Sequence, residues 1–227
     1  MRRLTLYIDP SQDGKEVNTL LRRELGLSGS GVRRAKQLPD GILLDGRPVF
    51  TNARARAGER LSVAVGDLEG SNQIATVSGP LDLWYEDEDL LVVNKNGQTP
   101  VHPSQGHHGD TLANFLMAYY ETIELVAAFH PVNRLDRGTS GLMAVAKHPH
   151  AHEREGVLVR TYLAVCEGVP GAEAGTIEAP IGREPGSVLR RMVIEGGAFA
   201  RTSYRVLRTG RGRSLVSLSL DTGRTHQ

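Results

Sequence analysis

The densest chemical signal in the chain is the segment His130-Pro131-Val132-Asn133-Arg134-Leu135-Asp136-Arg137-Gly138-Thr139-Ser140-Gly141-Leu142. An acid lies between Arg134 and Arg137, and small, turn-forming residues follow it before an apolar run. A carboxylate close to two cations stays ionised, and on a loop it can contact a substrate. The same pattern fits a structural loop closed by salt bridges, and charge alone favours that second interpretation.

Apolar runs on both sides of this segment predict a sheet. The run Leu90-Leu91-Val92-Val93 is typical of a buried strand, and a strand over 81–85 precedes it across an acidic turn. A helix is predicted from Asp110 or Thr111 to about Tyr120. Four further segments have the alternation or apolar content of strands, and glycine and proline separate them: Gly141–Ala146, Arg160–Val165, Thr202–Val206 and Ser214–Leu220.

The N-terminal segment 1–65 has the pattern of a small separate α+β unit. Alternating apolar residues predict strands at 4–8 and 61–65, and Asp45-Gly46 predicts a hairpin on a type I′ turn. A capping box at Asp13–Glu16 predicts a helix that ends at Gly26. A second helix follows Ser28, and it carries basic residues on its exposed side: Arg33, Arg34 and Lys36. The segment 66–80 is rich in Gly and Ser and is interpreted as a linker.

The charge is almost balanced overall but is divided along the chain. The 227 residues contain 27 Lys and Arg and 26 Asp and Glu, which gives a net charge of +1. Residues 1–70 carry +3, residues 71–129 carry −7, and residues 130–227 carry +5, with 13 arginines among the last 14 basic residues. Arginine suits phosphate and stacked bases, although a coding bias towards arginine gives the same pattern.

Composition narrows the class and the compartment. Cys166 has no partner for an intrachain disulfide, and no apolar run reaches the length of a membrane span or of a signal peptide. We therefore expect a cytoplasmic protein that does not interact with membranes. Two minor features receive structural interpretations: Cys166 is expected in the core, and His148-Pro149-His150-Ala151-His152 is expected in a solvated turn rather than a zinc site.

The central segment resembles the signature of the RluA family of RNA pseudouridine synthases. Arg134-Leu135-Asp136 and Thr139-Ser140-Gly141-Leu142 match its core, whereas Asn133 replaces the usual His. Other motifs of the family occur in the expected order over 81–227. Before the central segment lie Glu86–Lys95 and Pro100-Val101-His102-Pro103, and here Asn96 replaces the usual Pro. After it lie Arg160–Ala164, Gly175-Thr176-Ile177 with Ala179–Arg183, and Leu220–Gln227. Four ordered motifs are much more specific than any one of them.

The resemblance implies a site and a reaction. Asp136 is the catalytic carboxylate, Arg224 pairs with it, and Tyr162 lies against the uracil ring as the candidate base for the C5 proton. Arg134 fills the space that a flipped uridine leaves, and Leu142 contacts the substrate. The family reaction exchanges the C1′–N1 bond for a C1′–C5 bond and needs no metal, redox group or nucleotide cofactor. Attack of Asp136 on the ribose and attack on the uracil both remain open.

The N-terminal segment 1–65 resembles an S4-like RNA-binding module more loosely. The matching stretches are Leu27-Ser28, Gly41–Val49 and Ala57–Val63. The resemblance implies that Arg33, Arg34 and Lys36 face RNA phosphates; the alternative is a solvated helix face. The expected partner is therefore RNA, ribosomal rather than transfer RNA, and the expected oligomeric state is a monomer.

The resemblance also implies the fold class and the domains. We expect an α+β protein: an S4-like domain at 1–65, a linker at 66–80, and a pseudouridine synthase catalytic domain with a mixed, largely antiparallel sheet at 81–227. The stretch between Lys147 and Tyr162 is short for the family, so a family helix is shortened or lost there. The family continues past the position of Gln227, so the catalytic domain is expected to be incomplete at the C-terminus. An alternative function is a catalytically impaired RNA-binding remnant.

Overall fold

The N-terminal part of the chain, residues 1–64, forms a four-stranded antiparallel sheet with two short helices packed on one face. The computed structural model describes residues 1–68, 73–154, 158–187 and 189–227. The elements of this part are β1 Arg3–Tyr7, a 3-10 turn Pro10–Gln12, α1 Val17–Arg23, α2 Gly29–Ala35, β2 Ile42–Leu44, β3 Arg47–Pro48 and β4 Arg60–Ala64. The strand order is β1-β4-β2-β3. A buried cluster of apolar side chains joins helices and sheet, and it includes Val17, Leu20, Leu21, Leu61 and Val63.

Two local predictions in this part are confirmed. Leu44 pairs with Arg47, and the two residues between them, Asp45 and Gly46, have φ values of 46° and 77°. Positive φ at both central positions defines the type I′ turn. The side chain of Ser28 accepts a hydrogen bond from an N–H of the first turn of α2, as an N-cap residue should.

The predicted capping box before α1 is wrong. Glu16, not Asp13, occupies the N-cap, and its side chain makes no capping hydrogen bond. The N–H groups of Val17 and Asn18 donate instead to main-chain carbonyls in the segment 51–53, over 2.9 and 2.8 Å. A neighbouring stretch of backbone therefore satisfies the helix donors, and no side-chain cap is needed.

The middle of the chain forms a second antiparallel sheet in the order β5-β6-β8-β7. Its elements are β5 Leu83–Glu86, β6 Leu90–Lys95, α3 Leu112–Thr122, β7 His130–Pro131, β8 Gly141–Ala146 and α4 Pro149–Glu153. Thr111 caps α3, because its hydroxyl accepts from the Asn114 N–H while the Asn114 side chain accepts from the Thr111 N–H. The helix predicted from Asp110 or Thr111 is thus confirmed, with Thr111 as its cap.

The described part of the predicted linker packs along α3. Residues 69–72 of the predicted linker lie outside the described residues. After them, the Asn114 side chain donates to Ala75 O over 2.7 Å, and Val77 N–H donates to Asn114 O over 3.4 Å. A Cβ on Gly79 would lie 2.2 Å from the ring of Phe115, so glycine is required at this contact. Residues 75–79 are therefore fixed to the helix surface.

The histidine segment 148–152 is not the expected solvated turn. It begins α4, and both His148 and His150 are buried. His148 Nδ1 accepts from the Ala151 N–H over 3.1 Å, and its Nε2 lies 2.9 Å from the carboxylate of Asp89. The imidazole therefore serves as the N-cap of α4 and pairs with an acid on the β5–β6 turn. Among the described residues, no group of three or more His, Cys, Asp or Glu is placed to hold a metal ion.

The last part of the chain forms a five-stranded antiparallel sheet in the order β11-β10-β12-β13-β9. Its strands are β9 Thr161–Glu167, β10 Ala174–Arg183, β11 Arg191–Val193, β12 Ala198–Gly210 and β13 Arg213–Leu220. The predicted α+β class with antiparallel sheets is confirmed. In the described ranges, no helix combines the length and the apolar character needed to cross a membrane.

The prediction that Cys166 is a core residue is wrong. Its side chain is exposed. The residue belongs to β9, the edge strand of the five-stranded sheet, where Leu163 and Val165 are also 68% and 70% exposed. The apolar run around Cys166 is therefore typical of a buried strand in sequence, although the strand lies exposed at the edge of the sheet.

The backbone divides into two units, Met1–Glu155 and Gly156–Gln227. We call them the first and the second unit. The first contains the two four-stranded sheets, and the second contains the five-stranded sheet. The domain boundaries inferred from the sequence, 1–65, 66–80 and 81–227, stay a prediction.

Candidate active site

Residues 132–140, which we call the signature loop, connect β7 to β8 and are tied to β8 at their start. Val132 N–H donates to Ala144 O over 2.8 Å. The Asn133 side chain then bonds β8 twice: its oxygen accepts from the Ala144 N–H over 2.8 Å, and its amide nitrogen donates to Leu142 O over 3.3 Å. The Asn that replaces the family's His thus works as a clip between loop and strand.

The middle of the signature loop alternates between buried and exposed side chains. Leu135 is buried, at 7% exposure, while Arg134 and Asp136 on either side are exposed. Thr139 N–H donates to Asp136 O over 3.1 Å, which closes a turn in which Gly138 has a φ of 94°. Burial of Leu135 fixes the loop, and the Asp136 carboxylate is accessible to a substrate.

The turn of the signature loop contacts the backbone that follows β6. Gly138 N–H donates to Gly97 O over 2.7 Å. A Cβ on Gly97 would lie 3.2 Å from Gly138 O, closer than most Cβ contacts. The absence of a side chain at Gly97 therefore allows this close approach, while Gly138 supplies the positive φ of the turn.

Lys95 is a functional candidate that the sequence analysis did not single out. It ends β6, is 2% exposed, and donates from Nζ to Asn96 O and Thr99 O over 2.7 and 3.1 Å. Burial lowers the pKa of Lys95, and the charge of Asp136 partly opposes that shift. Alternation along β6 could have revealed it, because Leu91, Val93 and Lys95 share the buried face.

The two arginines that flank Asp136 have other partners. Arg137 Nη1 lies 3.1 Å from His107 Nε2, and His107 Nδ1 lies 2.6 Å from Asp110. Arg134 lies close enough to His102 that, after burial, its charge is the second cause lowering the pKa of that histidine. In the described part of the chain, neither arginine forms an ion pair with Asp136. The loop is thus not closed by the salt bridges that charge alone suggested.

A cleft of about 670 Å³ opens in the first unit beside the signature loop. Its volume lies in the range of small-molecule sites. Its lining comes from the segment before β5, the end of β6 with the residues after it, the start of α3 and the end of the loop; its polar members include Asp82, Lys95, Asn96, Thr99 and Ser140. The cleft therefore presents a buried cation and several polar groups within one concave surface.

Leu142 lies at the start of β8, directly after the loop. It is 50% exposed and pairs with Asn94 of β6. An apolar side chain with this exposure is available for contact, but the predicted contact with substrate stays a prediction.

Tyr162 and Arg224, the other two predicted catalytic residues, belong to the second unit. Tyr162 lies on β9 in a cross-strand row with Leu218 of β13 and Tyr204 of β12. Arg224 follows β13, and its Nε donates to Phe199 O over 2.8 Å. Asp136 belongs to the first unit, so its pairing with Arg224 and its proximity to Tyr162 stay predictions.

The predicted RNA-binding residues lie on or directly after α2. Arg33 and Lys36 are exposed, whereas Arg34 is half-buried. Asp67 is buried; although burial opposes its ionisation, His130, the Ala128 N–H and the charge of Arg34 keep the pKa of its carboxyl below the ordinary value. Arg34 therefore has an internal partner, while the other two side chains point to solvent.

The site thus combines an exposed aspartate, on a loop between antiparallel strands, with a polar cleft in an α+β fold. A family model described as RNA pseudouridylate synthase matches residues 89–227. Among curated relatives, the RNA pseudouridine synthase YjbO of Bacillus subtilis is 36% identical over 90% of this chain and 74% of its own length. Ribosomal large subunit pseudouridine synthase D of Pseudomonas aeruginosa is 35% identical over 87% of this chain and 63% of its own.

A solved structure agrees with these relatives. Human RNA Pseudouridylate Synthase Domain Containing 1 is 28% identical, with a TM-score of 0.51 over 65% of this chain and 62% of that chain. The chain belongs to the RNA pseudouridine synthase family, as the signature predicted. It is an isomerase by family, with RNA as the substrate class.

Proposed function

We propose that the chain converts specific uridines to pseudouridine in structured ribosomal RNA, with Asp136 as the catalytic group. The observation that carries the proposal is the geometry of the signature loop: Leu135 is buried and Asn133 is bonded to β8, so Asp136 is exposed at a fixed position. A carboxylate presented on a rigid loop can reach a nucleotide that has left its stack.

The proposed chemistry keeps every heavy atom within the RNA and exchanges only a proton with its surroundings. The C1′–N1 bond of the uridine breaks, the uracil turns, and a C1′–C5 bond forms; the C5 proton leaves and N1 gains a proton. An ionised Asp136 can add to C1′ or to C6 of the uracil ring. On C1′ the carboxylate is displaced when C5 bonds to C1′, whereas on C6 it is eliminated in a separate step after the new bond has formed. Tyr162 takes the C5 proton, and Arg224 orients Asp136 and keeps it charged.

Access to the uridine requires base flipping, which costs a few kcal/mol. Arg134 is exposed next to Asp136, and its planar guanidinium can stack on the neighbouring bases and occupy the vacated space. Leu142, also exposed near the loop, supplies apolar contact with the flipped base. These positions support a substrate that enters beside the signature loop.

The N-terminal segment 1–65 is proposed as an S4-like RNA-binding module in the same protein. Arg33 and Lys36 project to solvent from and directly after α2, where they can contact phosphates. Arg34 contributes less, because its charge already acts on Asp67. We propose a cytoplasmic monomer, and we favour ribosomal RNA because relatives that match 82% or more of this chain are named for the ribosomal large subunit.

The test is to measure pseudouridine in transcribed large-subunit ribosomal RNA after incubation with the protein. Asp136→Asn keeps size and hydrogen bonding and removes the charge, so we expect a rate loss of at least about a thousandfold. Glu24→Gln changes an exposed carboxylate on the N-terminal module and serves as the matched control. Full activity of Asp136→Asn would reject the proposal. Wild-type protein that binds this RNA without turnover would support the RNA-binding remnant instead.

A further inference from the structure

We propose that the outer face of the N-terminal sheet is a second RNA contact, which binds an unpaired base on Tyr7 beside Arg60. This inference rests on the proposed function, because it takes RNA as the substrate. It names a surface that is separate from the basic residues of α2. The ligand class is an unpaired nucleotide of single-stranded or looped RNA.

The strand register places the relevant side chains together. In the β1–β4 ladder, Tyr7 is directly opposite Arg60, and Thr5 is opposite Ser62. Directly opposed residues of an antiparallel pair have Cβ atoms about 5 Å apart on the same face. Arg3 is the next residue of β1 on that face, and its guanidinium donates to Ser62 Oγ over 3.2 and 3.4 Å.

Burial shows that this face points away from the core. Leu61 and Val63 of β4 are fully buried in the cluster that contains α1 and α2. The alternate residues of the same strands therefore lie on the opposite side of the sheet. Tyr7 is 70% exposed there, so its ring is accessible to a ligand.

The face is positively charged. The outward residues of β1 and β4 include two arginines, a tyrosine and two hydroxyl residues, and they include no carboxylate: Arg3, Thr5, Tyr7, Arg60 and Ser62. Three acids near the strand ends accept main-chain hydrogen bonds. Asp45 accepts from the Arg60 N–H, Asp9 accepts from the Ser11 N–H, and Glu59 accepts from the Arg56 N–H.

The chemistry of the face fits an unpaired base better than a duplex. A base stacks on an exposed aromatic ring whatever its sequence, and arginine adds a planar cation for stacking or for the phosphate. Arg3 is already oriented, because it also donates to Asp40 O over 2.8 Å. A duplex hides the faces of its bases, so it could use the arginines but not Tyr7.

The experiment measures binding of the full chain to a labelled single-stranded oligouridylate and to a blunt RNA duplex. We expect Tyr7→Ala to weaken binding of the single strand about tenfold and to leave duplex binding unchanged. Tyr7→Phe keeps the ring and should bind like wild type. Phe50→Ala is the matched control, because Phe50 is an 85% exposed aromatic of the same module that follows β3 rather than lying on this face. Circular dichroism confirms that each variant is folded.

Four outcomes would overturn the inference. They are wild-type protein that does not bind the single strand, Tyr7→Ala that binds like wild type, equal losses for Tyr7→Ala and Phe50→Ala, and a dimer in sedimentation that Tyr7→Ala dissociates. The last would assign the face to a second copy of the chain. Pseudouridine formation by the wild type is measured in parallel, so that failure of this contact is distinguishable from failure of the proposed function.

Discussion

The two parts of the predicted catalytic machinery are built in different ways. Asp136 lies on a loop whose position is set by a buried leucine, an asparagine clip and a backbone contact between glycines. Tyr162 lies on an edge strand whose backbone pairs with β13. The Arg224 side chain donates to the Phe199 carbonyl, and its main-chain N–H donates to the Gln227 side chain.

The difference extends to the packing of the two units. In the first unit, apolar side chains of helices and strands form closed clusters around fully buried residues such as Leu61, Leu91 and Val145. In the described part of the second unit, the buried apolar residues are Ala200 and Val216. Packing of apolar side chains therefore orders the first unit, whereas backbone hydrogen bonds between strands order the second. We therefore expect substitutions of packed residues in the first unit to act through stability, and substitution of Tyr162 in the second unit to act through chemistry.

The largest effect is expected at Tyr162, where the second unit contributes chemistry. Tyr162→Phe keeps the ring and removes the hydroxyl that accepts the C5 proton, so we expect the turnover rate to fall about 10²- to 10⁴-fold with little change in KM. Tyr204→Phe is the matched control, because Tyr204 lies in the same cross-strand row. Release of tritium from C5-labelled RNA measures both. Equal rates for the two variants would remove Tyr162 from the chemistry.

The next effect tests packing directly. Leu135→Ala removes a buried side chain beneath the signature loop, so we expect the free energy of unfolding to fall by about 2–4 kcal/mol. Leu163→Ala removes an exposed side chain of the second unit and should change it by no more than about 0.5 kcal/mol. Urea denaturation followed by circular dichroism measures both. A larger loss for Leu163→Ala would reverse the contrast between the units.

A smaller effect is expected at the asparagine clip. Asn133→Ala removes both side-chain bonds to β8, which we expect to cost about 1–3 kcal/mol of stability and to lower kcat more than it raises KM. Asn133→Asp keeps the acceptor for the Ala144 N–H and loses the donor, so an intermediate kcat is expected. Steady-state kinetics on the same RNA separate the two parameters. Identical kcat values for wild type and Asn133→Ala would show that the clip does not position Asp136.

The smallest effect is a pH dependence at Asp67. Burial opposes its ionisation, but the bonds from His130 and the Ala128 N–H, together with Arg34, keep the folded-state pKa below the unfolded value of 3.8. The unfolded state therefore binds the proton more tightly, so this stabilisation is complete above pH 3.8 and is lost as the pH falls through the folded-state pKa.

Asp67→Asn tests this dependence because it keeps an acceptor and removes the charge. We expect a loss of about 1 kcal/mol at neutral pH and a flatter stability profile below pH 3.8. Thermal unfolding across that pH range measures both. A profile that stays as steep as that of the wild type would assign the acid sensitivity to another group.

Most of the fold was predictable from sequence patterns that involve only a few neighbouring residues. Strand alternation located β8 at its observed bounds, Gly141–Ala146, and the pair Asp45-Gly46 specified its turn through positive φ. Ser28 and Thr111 capped their helices because each supplies an oxygen to an unpaired N–H of the first turn. These features depend only on neighbours in the sequence.

The wrong predictions each involve a distant partner. Asp13 is not a cap because carbonyls from a remote part of the chain, within 51–53, reach α1 first. His148 is buried because it pairs with Asp89, which is distant in sequence, and caps α4. Cys166 is exposed because its strand is at the edge of a sheet, which its own apolar neighbours do not reveal.

The candidate site was predictable in its residue types and less so in its electrostatics. The order of motifs pointed to Asp136, and the structure shows it exposed. Sequence suggested that Arg134 and Arg137 hold its charge, yet Arg137 is bonded to His107 and the buried cation nearby is Lys95. Which cation acts on a carboxylate depends on side-chain directions that spacing in the sequence does not determine.

The hydrogen bond between Gly138 and Gly97 fixes the number of residues between the end of β6 and Gly97, because the Gly97 carbonyl must reach the signature turn. Insertion of one residue between Lys95 and Gly97 would move the carbonyl that receives Gly138 N–H and would shift the signature turn by a fraction of a strand repeat. In engineered or natural variants of this chain, we therefore expect insertions and deletions to be excluded from this short stretch.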